Sequence, residues 1–88
     1  MTVRWRYRRR LKEAQTQSED ISSRGVYFFL PTEIKKGSSV ELDIVVPHKI
    51  TLVEPIGIRC HGHVQRVEMK SLNGLGVAAE IKRYEFLR

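Results

Sequence analysis

The chain has 88 residues and a net charge of +6, with 41% hydrophobic and 30% charged residues, a balance typical of a globular protein. This length is enough for one small domain, which we expect to span residues 1–88. No apolar run approaches the ~20 residues of a membrane span, and we expect no secretion signal because no apolar segment follows the N-terminal arginines. The single cysteine, Cys60, fits a reducing compartment, so we predict a cytoplasmic protein.

The positive charge is concentrated at the start of the chain. Six basic residues and no acidic one fall within the first twelve positions, namely Arg4, Arg6, Arg8, Arg9, Arg10 and Lys12. A block of this kind attracts phosphate groups, whether they belong to a nucleotide, a nucleic acid or an anionic membrane. Composition alone leaves these three open.

The first segment, Thr2 to Arg8, alternates between apolar or aromatic residues and arginines. Period two predicts a strand with one buried face, and we expect Trp5 and Tyr7 to point into the core. Residues 9–14 are polar and predict a hairpin connection, after which residues 15–21 form a second, mostly polar strand at an edge.

A turn is predicted at residues 19–25, between that strand and the apolar third strand, Gly25 to Leu30. Asp20 and Ser22 are short polar residues whose side chains bond nearby backbone N–H groups in turns. Gly25 is expected to adopt a positive φ, which costs glycine little. A capped turn of small residues explains these residue types without any ligand.

The rest of the chain predicts three further strands. The fourth spans residues 40–46, the long fifth spans 56–67, and the sixth spans 75–81. We expect a loop with a few strand residues at 50–53, a turn at 70–74, and a short amphipathic tail at 84–87. No window keeps a helical period. The sequence therefore predicts an all-β fold, a small antiparallel barrel closed by six strands, and any contact between two copies is expected at the polar second strand or the tail.

The fifth strand carries the residues that suggest metal binding or catalysis. Cys60 is expected to face inward with Ile58, Gly62 and Val64, while His61 and His63 face outward with Arg59 and Gln65. Because the thiol and the imidazoles lie on opposite faces, we predict neither a metal site nor a nucleophile–base pair. Gly62 is expected to mark a bend or a close approach of backbone. The acidic residues are scattered, and we expect Glu41 and Asp43 on opposite faces of the fourth strand, so we predict that the protein is not an enzyme.

Asp20, Ser22 and Gly25 spell D-x-S-x-x-G immediately before a hydrophobic strand. This pattern resembles one half of the ligand signature of PilZ domains, the bacterial receptors for cyclic di-GMP. The resemblance covers nearly all of residues 2–86 and includes the strand Val40–Ile44 and the closing strand Gly76–Ile81. It implies a cytoplasmic signalling module with cyclic di-GMP as ligand and a protein as partner. The ligand-binding residues that it implies are Arg8, Arg9, Arg10, Asp20, Ser22, Ser23 and Gly25.

The other half of the family signature, R-x-x-x-R, is expected before the first strand. Here it occurs as Arg4…Arg8 and Arg6…Arg10, inside or just after the first predicted strand. One interpretation is that Arg8, Arg9 and Arg10 grip the phosphates from the hairpin. A second is a divergent PilZ domain that binds no nucleotide and acts through protein contact. The third is a basic barrel that binds nucleic acid, which the opposite faces of Trp5 and the arginines disfavour.

Overall fold

The computed structural model describes residues 1–46, 55–70 and 74–87, without the side chains of Val46 and Lys70. The predicted loop at 50–53 and residues 71–73 of the predicted turn lie outside this description. Within the described ranges the chain has no helix, and so none long and apolar enough to cross a membrane. It forms seven strands, which are β1 (Thr2–Tyr7), β2 (Arg10–Gln15), β3 (Ser18–Ile21), β4 (Gly25–Leu30), β5 (Ser39–Val46), β6 (Ile56–Lys70) and β7 (Gly74–Leu87).

All the strands pair antiparallel in one sheet, in the order β2-β1-β5-β6-β7-β4-β3. The all-β prediction is confirmed, but the closed six-stranded barrel is wrong because β2 and β3 remain the two edges of an open sheet. The predicted connection at 9–14 contains β2, which pairs with β1, and only residues 18–21 pair with β4. The polar segment predicted as a connection and one strand thus forms two strands, β2, which pairs with β1, and β3, which pairs with β4.

Thr16, which connects β2 to β3, links β4 to the residue that precedes β1. Its backbone N–H donates to the carbonyl oxygen of Met1 at 2.9 Å, and its hydroxyl donates to the carbonyl oxygen of Phe29 at 2.7 Å. The sheet is therefore strongly curved, with one concave face that encloses the core and one convex face in solvent.

The core consists of alternate residues from five of the strands together with Ile34. Trp5 is 2% exposed, and its indole N–H donates to the carbonyl oxygen of Glu33 at 3.2 Å. The inward placement predicted for Trp5, Cys60 and Val64 is confirmed. Each large apolar side chain buried in this way stabilises the fold by about 1.5–3 kcal/mol. The buried residues are Val3, Trp5, Val26, Phe28, Leu30, Ile34, Val40, Leu42, Cys60, Val64, Val77, Ala79 and Ile81.

At Gly62 the backbones of β6 and β7 lie too close together to leave room for a side chain, as its position in mid-strand predicts. A Cβ at this residue would lie 1.9 Å from the carbonyl oxygen of Glu80. The register between the two strands also shifts between His61 and Gly62, opposite Arg83 and Ile81. A bulge of this type sharpens the local twist, so Gly62 helps the long strands to curve around the core.

The convex face carries a network of charged side chains, and the prediction that Glu41 and Asp43 lie on opposite faces is wrong. Residues i and i+2 of a strand share a face, so Glu41 and Asp43 lie on the same side rather than on opposite sides. Arg4 contacts both carboxylates, and Arg59 does the same from β6, with its Nε 2.8 Å from Asp43 Oδ1. The hydrogen bond from Arg59 lowers the pKa of Asp43 below its ordinary value.

Candidate ligand site

The turn between β3 and β4 is held by Ser22 and by β7. The backbone N–H of Ser22 donates to the carbonyl oxygen of Gly25 at 2.9 Å, and the N–H of Arg24 donates to the Ser22 hydroxyl at 3.3 Å. Tyr84 donates its hydroxyl to the carbonyl oxygen of Ser23. The capping role predicted for Ser22 is confirmed, and the turn is anchored to β7, the last strand of the chain.

Asp20 behaves differently from Ser22. It lies in β3 opposite Tyr27, next to a bulge at Glu19, and it is exposed. Its carboxylate makes no hydrogen bond or ion pair in the part of the chain that the structure describes, so the predicted bond to the turn backbone is absent. The need to close the turn therefore does not explain an aspartate here, and the carboxylate oxygens can accept bonds from a ligand.

Gly25 does not have the positive φ that the sequence analysis expected. In the described ranges the glycines in the left-handed region are Gly37 and Gly74. Gly25 begins β4 in extended conformation, and a Cβ at this position would lie 3.1 Å from the carbonyl oxygen of Ala79 in β7. Glycine is thus favoured by the close approach of β7 rather than by turn geometry.

Four residues form one row across the convex face beside this turn. Asp20 pairs with Tyr27, Tyr27 pairs with Ala78, and Ala78 pairs with Arg66 of β6. Because Ala78 is small, the row is low between Tyr27 and Arg66, and along it lies an open groove of about 420 Å³ that Ser22 and Gly25 also line. This volume lies within the range of small-molecule sites.

A second groove adjoins the first at the turn. It has a volume of about 610 Å³ and shares Ser22, Gly25 and Ala79 with the first groove. Arg24 and Gln65 are added to its lining. The turn therefore separates two hollows, and each of them has an arginine in its wall.

Arg66 is the cation of the first groove, and the sequence analysis did not select it. Its side chain is 64% exposed, and its Nε lies 2.9 Å from Glu68 Oε1. Glu68 in turn accepts a hydrogen bond from the Tyr27 hydroxyl at 3.0 Å. The three side chains form one chain of contacts that places the Arg66 guanidinium beside the groove.

The predicted arginines Arg8, Arg9 and Arg10 lie elsewhere. Arg8 and Arg9 form the β1–β2 turn, where both adopt the left-handed conformation with φ of 51° and 68°. The Arg8 guanidinium lies 5.4 Å from the centre of the Tyr7 ring, and the Tyr7 hydroxyl bonds to Glu33. Arg10 begins β2 and is exposed.

These arginines and the Asp20–Gly25 turn are at opposite ends of β4. Glu33 follows the last residue of that strand, whereas Ser22 and Ser23 precede its first residue. A strand of six residues is roughly 17 Å long. The structure therefore brings Asp20, Ser22 and Gly25 together with Arg66 in the first groove and places Arg24 in the second, and it does not bring Arg8, Arg9 or Arg10 to either.

The opposite faces predicted for Cys60 and His61 of β6 are confirmed. Cys60 is buried, and burial raises the pKa of its thiol. His61 lies on the other face, with its Nε2 3.0 Å from Glu85 Oε1, and the hydrogen bond with His61 lowers the pKa of Glu85. Over residues 1–46, 55–70 and 74–87 there is no group of three or more His, Cys, Asp or Glu side chains placed to hold a metal ion.

Comparison with known proteins gives one positive result. The family model described as PilZ domain matches residues 1–85, nearly the whole chain, and confirms the resemblance drawn from the D-x-S-x-x-G turn and the strand pattern. No curated protein and no solved structure matches the chain.

Proposed function

The chain belongs to the PilZ domain family, and on this premise we propose that it is a cytoplasmic, non-catalytic signalling module that binds cyclic di-GMP beside the β3–β4 turn. The observation that carries the proposal is the row from Asp20 to Arg66. It places an unengaged carboxylate at one end and a guanidinium at the other end of one groove, with Tyr27 and Ala78 between them.

The chemistry of the two ends suits the two parts of the ligand. A guanine edge presents an N–H and an amino group, which a carboxylate accepts together, and hydrogen bonds to charged groups are the stronger ones. The phosphates are anionic and match a planar guanidinium better than an ammonium group. In this proposal Asp20 binds guanine, while Arg66 and Arg24 are the arginines next to phosphate. Ser22 and Ser23 shape the turn against the ligand.

Binding of phosphate by Arg8, Arg9 and Arg10 is a separate prediction. Their distance from the turn means that they contact a nucleotide only if it binds at a second position or bridges two chains. In either case the ordering of long arginine side chains on phosphate changes the surface offered to a partner protein, which is a common form of signalling switch.

The second candidate is a divergent PilZ module that binds no nucleotide and acts through protein contact. The separation of Arg8, Arg9 and Arg10 from the Asp20–Gly25 turn favours it, since the signature residues then have no common ligand. Nucleic-acid binding remains third, and the burial of Trp5 removes one aromatic platform on which bases would stack.

Calorimetric titration of the 88-residue chain with cyclic di-GMP, and with GTP as a control, separates the first two candidates. Saturable heat with cyclic di-GMP alone supports nucleotide binding. The variant Ala78→Leu then tests the groove, because a leucine fills its floor without entering the core. We expect this variant to fold and to lose binding. Full binding by Ala78→Leu contradicts the groove, and no heat from the wild type at tens of micromolar favours protein contact.

A further inference from the structure

The last part of β7 is an open edge in the middle of the sheet. β4 pairs with β7 only as far as Glu80, and the last hydrogen bond on that side runs from the Ile81 N–H to the carbonyl oxygen of Arg24. Residues 82–87 continue along β6 alone. Within the described ranges no backbone hydrogen bond reaches the other side of residues 82–87, where the Tyr84 hydroxyl donates to the Ser23 carbonyl, so the backbone groups of this edge are able to accept another strand.

The backbone directions along this edge follow from the registers. The N–H and carbonyl of Val64 both bond to the chain just before β5. From Val64 back to Ile56, the backbone groups of every second residue of β6 therefore point to β5, and those of the residues between them point to β7. His61 and Arg59 thus face β7, opposite Arg83 and Glu85. The groups left at the open edge are those of Tyr84 and Phe86.

The charge pattern selects one way for this edge to pair with a copy of itself. Antiparallel pairing requires Tyr84 of one chain opposite Lys82, Tyr84 or Phe86 of the other. The first register places Arg83 opposite Arg83, and the third places Glu85 opposite Glu85, so like charges face each other. The middle register instead places Arg83 opposite Glu85 twice, once on each side of the two-fold axis.

We propose that the chain forms a homodimer in which the β7 edges pair antiparallel about Tyr84. The same patch serves both subunits, as two-fold symmetry requires. Phe86, which is 69% exposed, then lies opposite the partner's Lys82, and the half-exposed Tyr84 ring, whose hydroxyl stays bonded to the Ser23 carbonyl, loses solvent contact on the axis. The short edge and polar ends predict a weak, concentration-dependent dimer.

Charge reversal gives a direct test by sedimentation equilibrium of the full chain across a concentration series. Arg83→Glu places two acids opposite each other, and Glu85→Arg does the same with two cations. Each single variant is expected to weaken the dimer by about tenfold, because both cross-strand pairs change sign. The double variant Arg83→Glu with Glu85→Arg restores opposite charges and should regain the dimer. An equimolar mixture of the two single variants should form the mixed dimer.

Thermal unfolding separates this role from a structural one. Glu85 also contacts His61 within the chain, so Glu85→Arg and the double variant are both expected to lose some stability, whereas only the double variant recovers association. A wild-type chain with the 10.3 kDa monomer mass at all concentrations overturns the proposal. So does a dimer that neither reversal weakens, which would place the contact elsewhere, or one that the double variant fails to restore.

Discussion

Replacing Asp20 with asparagine tests the proposed guanine contact without changing the shape of the site. The substitution exchanges one carboxylate oxygen for an amino group, which faces the amino group of guanine with a donor instead of an acceptor. A hydrogen bond to a charged group contributes about 1.5–3 kcal/mol. We therefore expect Asp20→Asn to weaken cyclic di-GMP binding by about 10- to 100-fold.

The same substitution is expected to leave the stability of the fold almost unchanged. Asp20 is exposed and has no hydrogen-bond or ion-pair partner among the described residues, and surface changes of this kind alter unfolding free energies by less than about 0.5 kcal/mol. If Asp20 instead closed the turn, as the residue pattern alone suggests, losing it would cost stability. Urea unfolding of the variant thus distinguishes a ligand contact from a structural cap.

Calorimetry supplies the affinity, and Glu19→Gln is the matched control. Glu19 is the neighbouring acid in the same bulge, it is exposed, and its change to glutamine alters the net charge by the same amount. We expect Glu19→Gln to bind like the wild type. Equal affinities for the wild type and Asp20→Asn refute the assignment of Asp20, and equal losses in both variants reduce it to a general charge effect.

Three further predictions concern the cations, the glycine and the charge network. In calorimetry, Arg66→Ala should weaken cyclic di-GMP binding by about 1–3 kcal/mol. Arg10→Ala should show a similar loss only if the turn formed by Arg8 and Arg9 contacts a nucleotide. A loss of affinity in Arg10→Ala alone contradicts binding in the groove. Gly62→Ala should destabilise the fold by about 3 kcal/mol or more, because its Cβ meets the Glu80 carbonyl. The control Gly57→Ala should destabilise it far less, because the nearest contact of its Cβ is the Leu87 side chain at 3.3 Å. Similar denaturation midpoints for the two variants would show that β6 and β7 are farther apart at Gly62 than the structure has them. Asp43→Asn should lower the free energy of unfolding by about 1–2 kcal/mol at pH 7. Because the folded pKa of Asp43 is lowered, this contribution is complete above the unfolded pKa of about 4 and is lost as the pH falls through the folded value. The unfolding free energies of wild type and variant should therefore converge in acid, and a constant difference down to acid pH argues against the Arg59 contact.

Strands that alternate strongly could be predicted from the sequence, and those that are polar on both sides could not. Trp5 in β1 and Cys60 and Val64 in β6 follow the period-two pattern, so their buried face was identified correctly. β2 and β3 bury almost nothing, and a strand without an apolar face gives no signal for its ends or its partner. The predicted barrel is not closed at this same segment, because β2 pairs with β1 and β3 pairs with β4 but β2 and β3 do not pair with each other.

The candidate site could be predicted only in the part that is local in sequence. The D-x-S-x-x-G turn is contiguous, and the structure keeps Asp20, Ser22 and Gly25 together. Arg66 joins them through the registers of three strand pairs and a shift between Val64 and Arg66. A one-residue change in register would turn its side chain to the other face, so no inspection of the sequence places it beside Asp20. Gly25 was chosen for the wrong reason, because contact with β7 is also invisible in a local pattern.

Binding of cyclic di-GMP beside the β3–β4 turn is tested most directly by NMR titration of the ¹⁵N-labelled chain, with GTP as the control. We expect saturable shifts of the amide signals of Asp20, Ser22 and Gly25, together with Ala78 and Arg66 across the groove. Shifts confined to Arg8, Arg9 and Arg10, or a spectrum that cyclic di-GMP leaves unchanged, would contradict binding beside this turn.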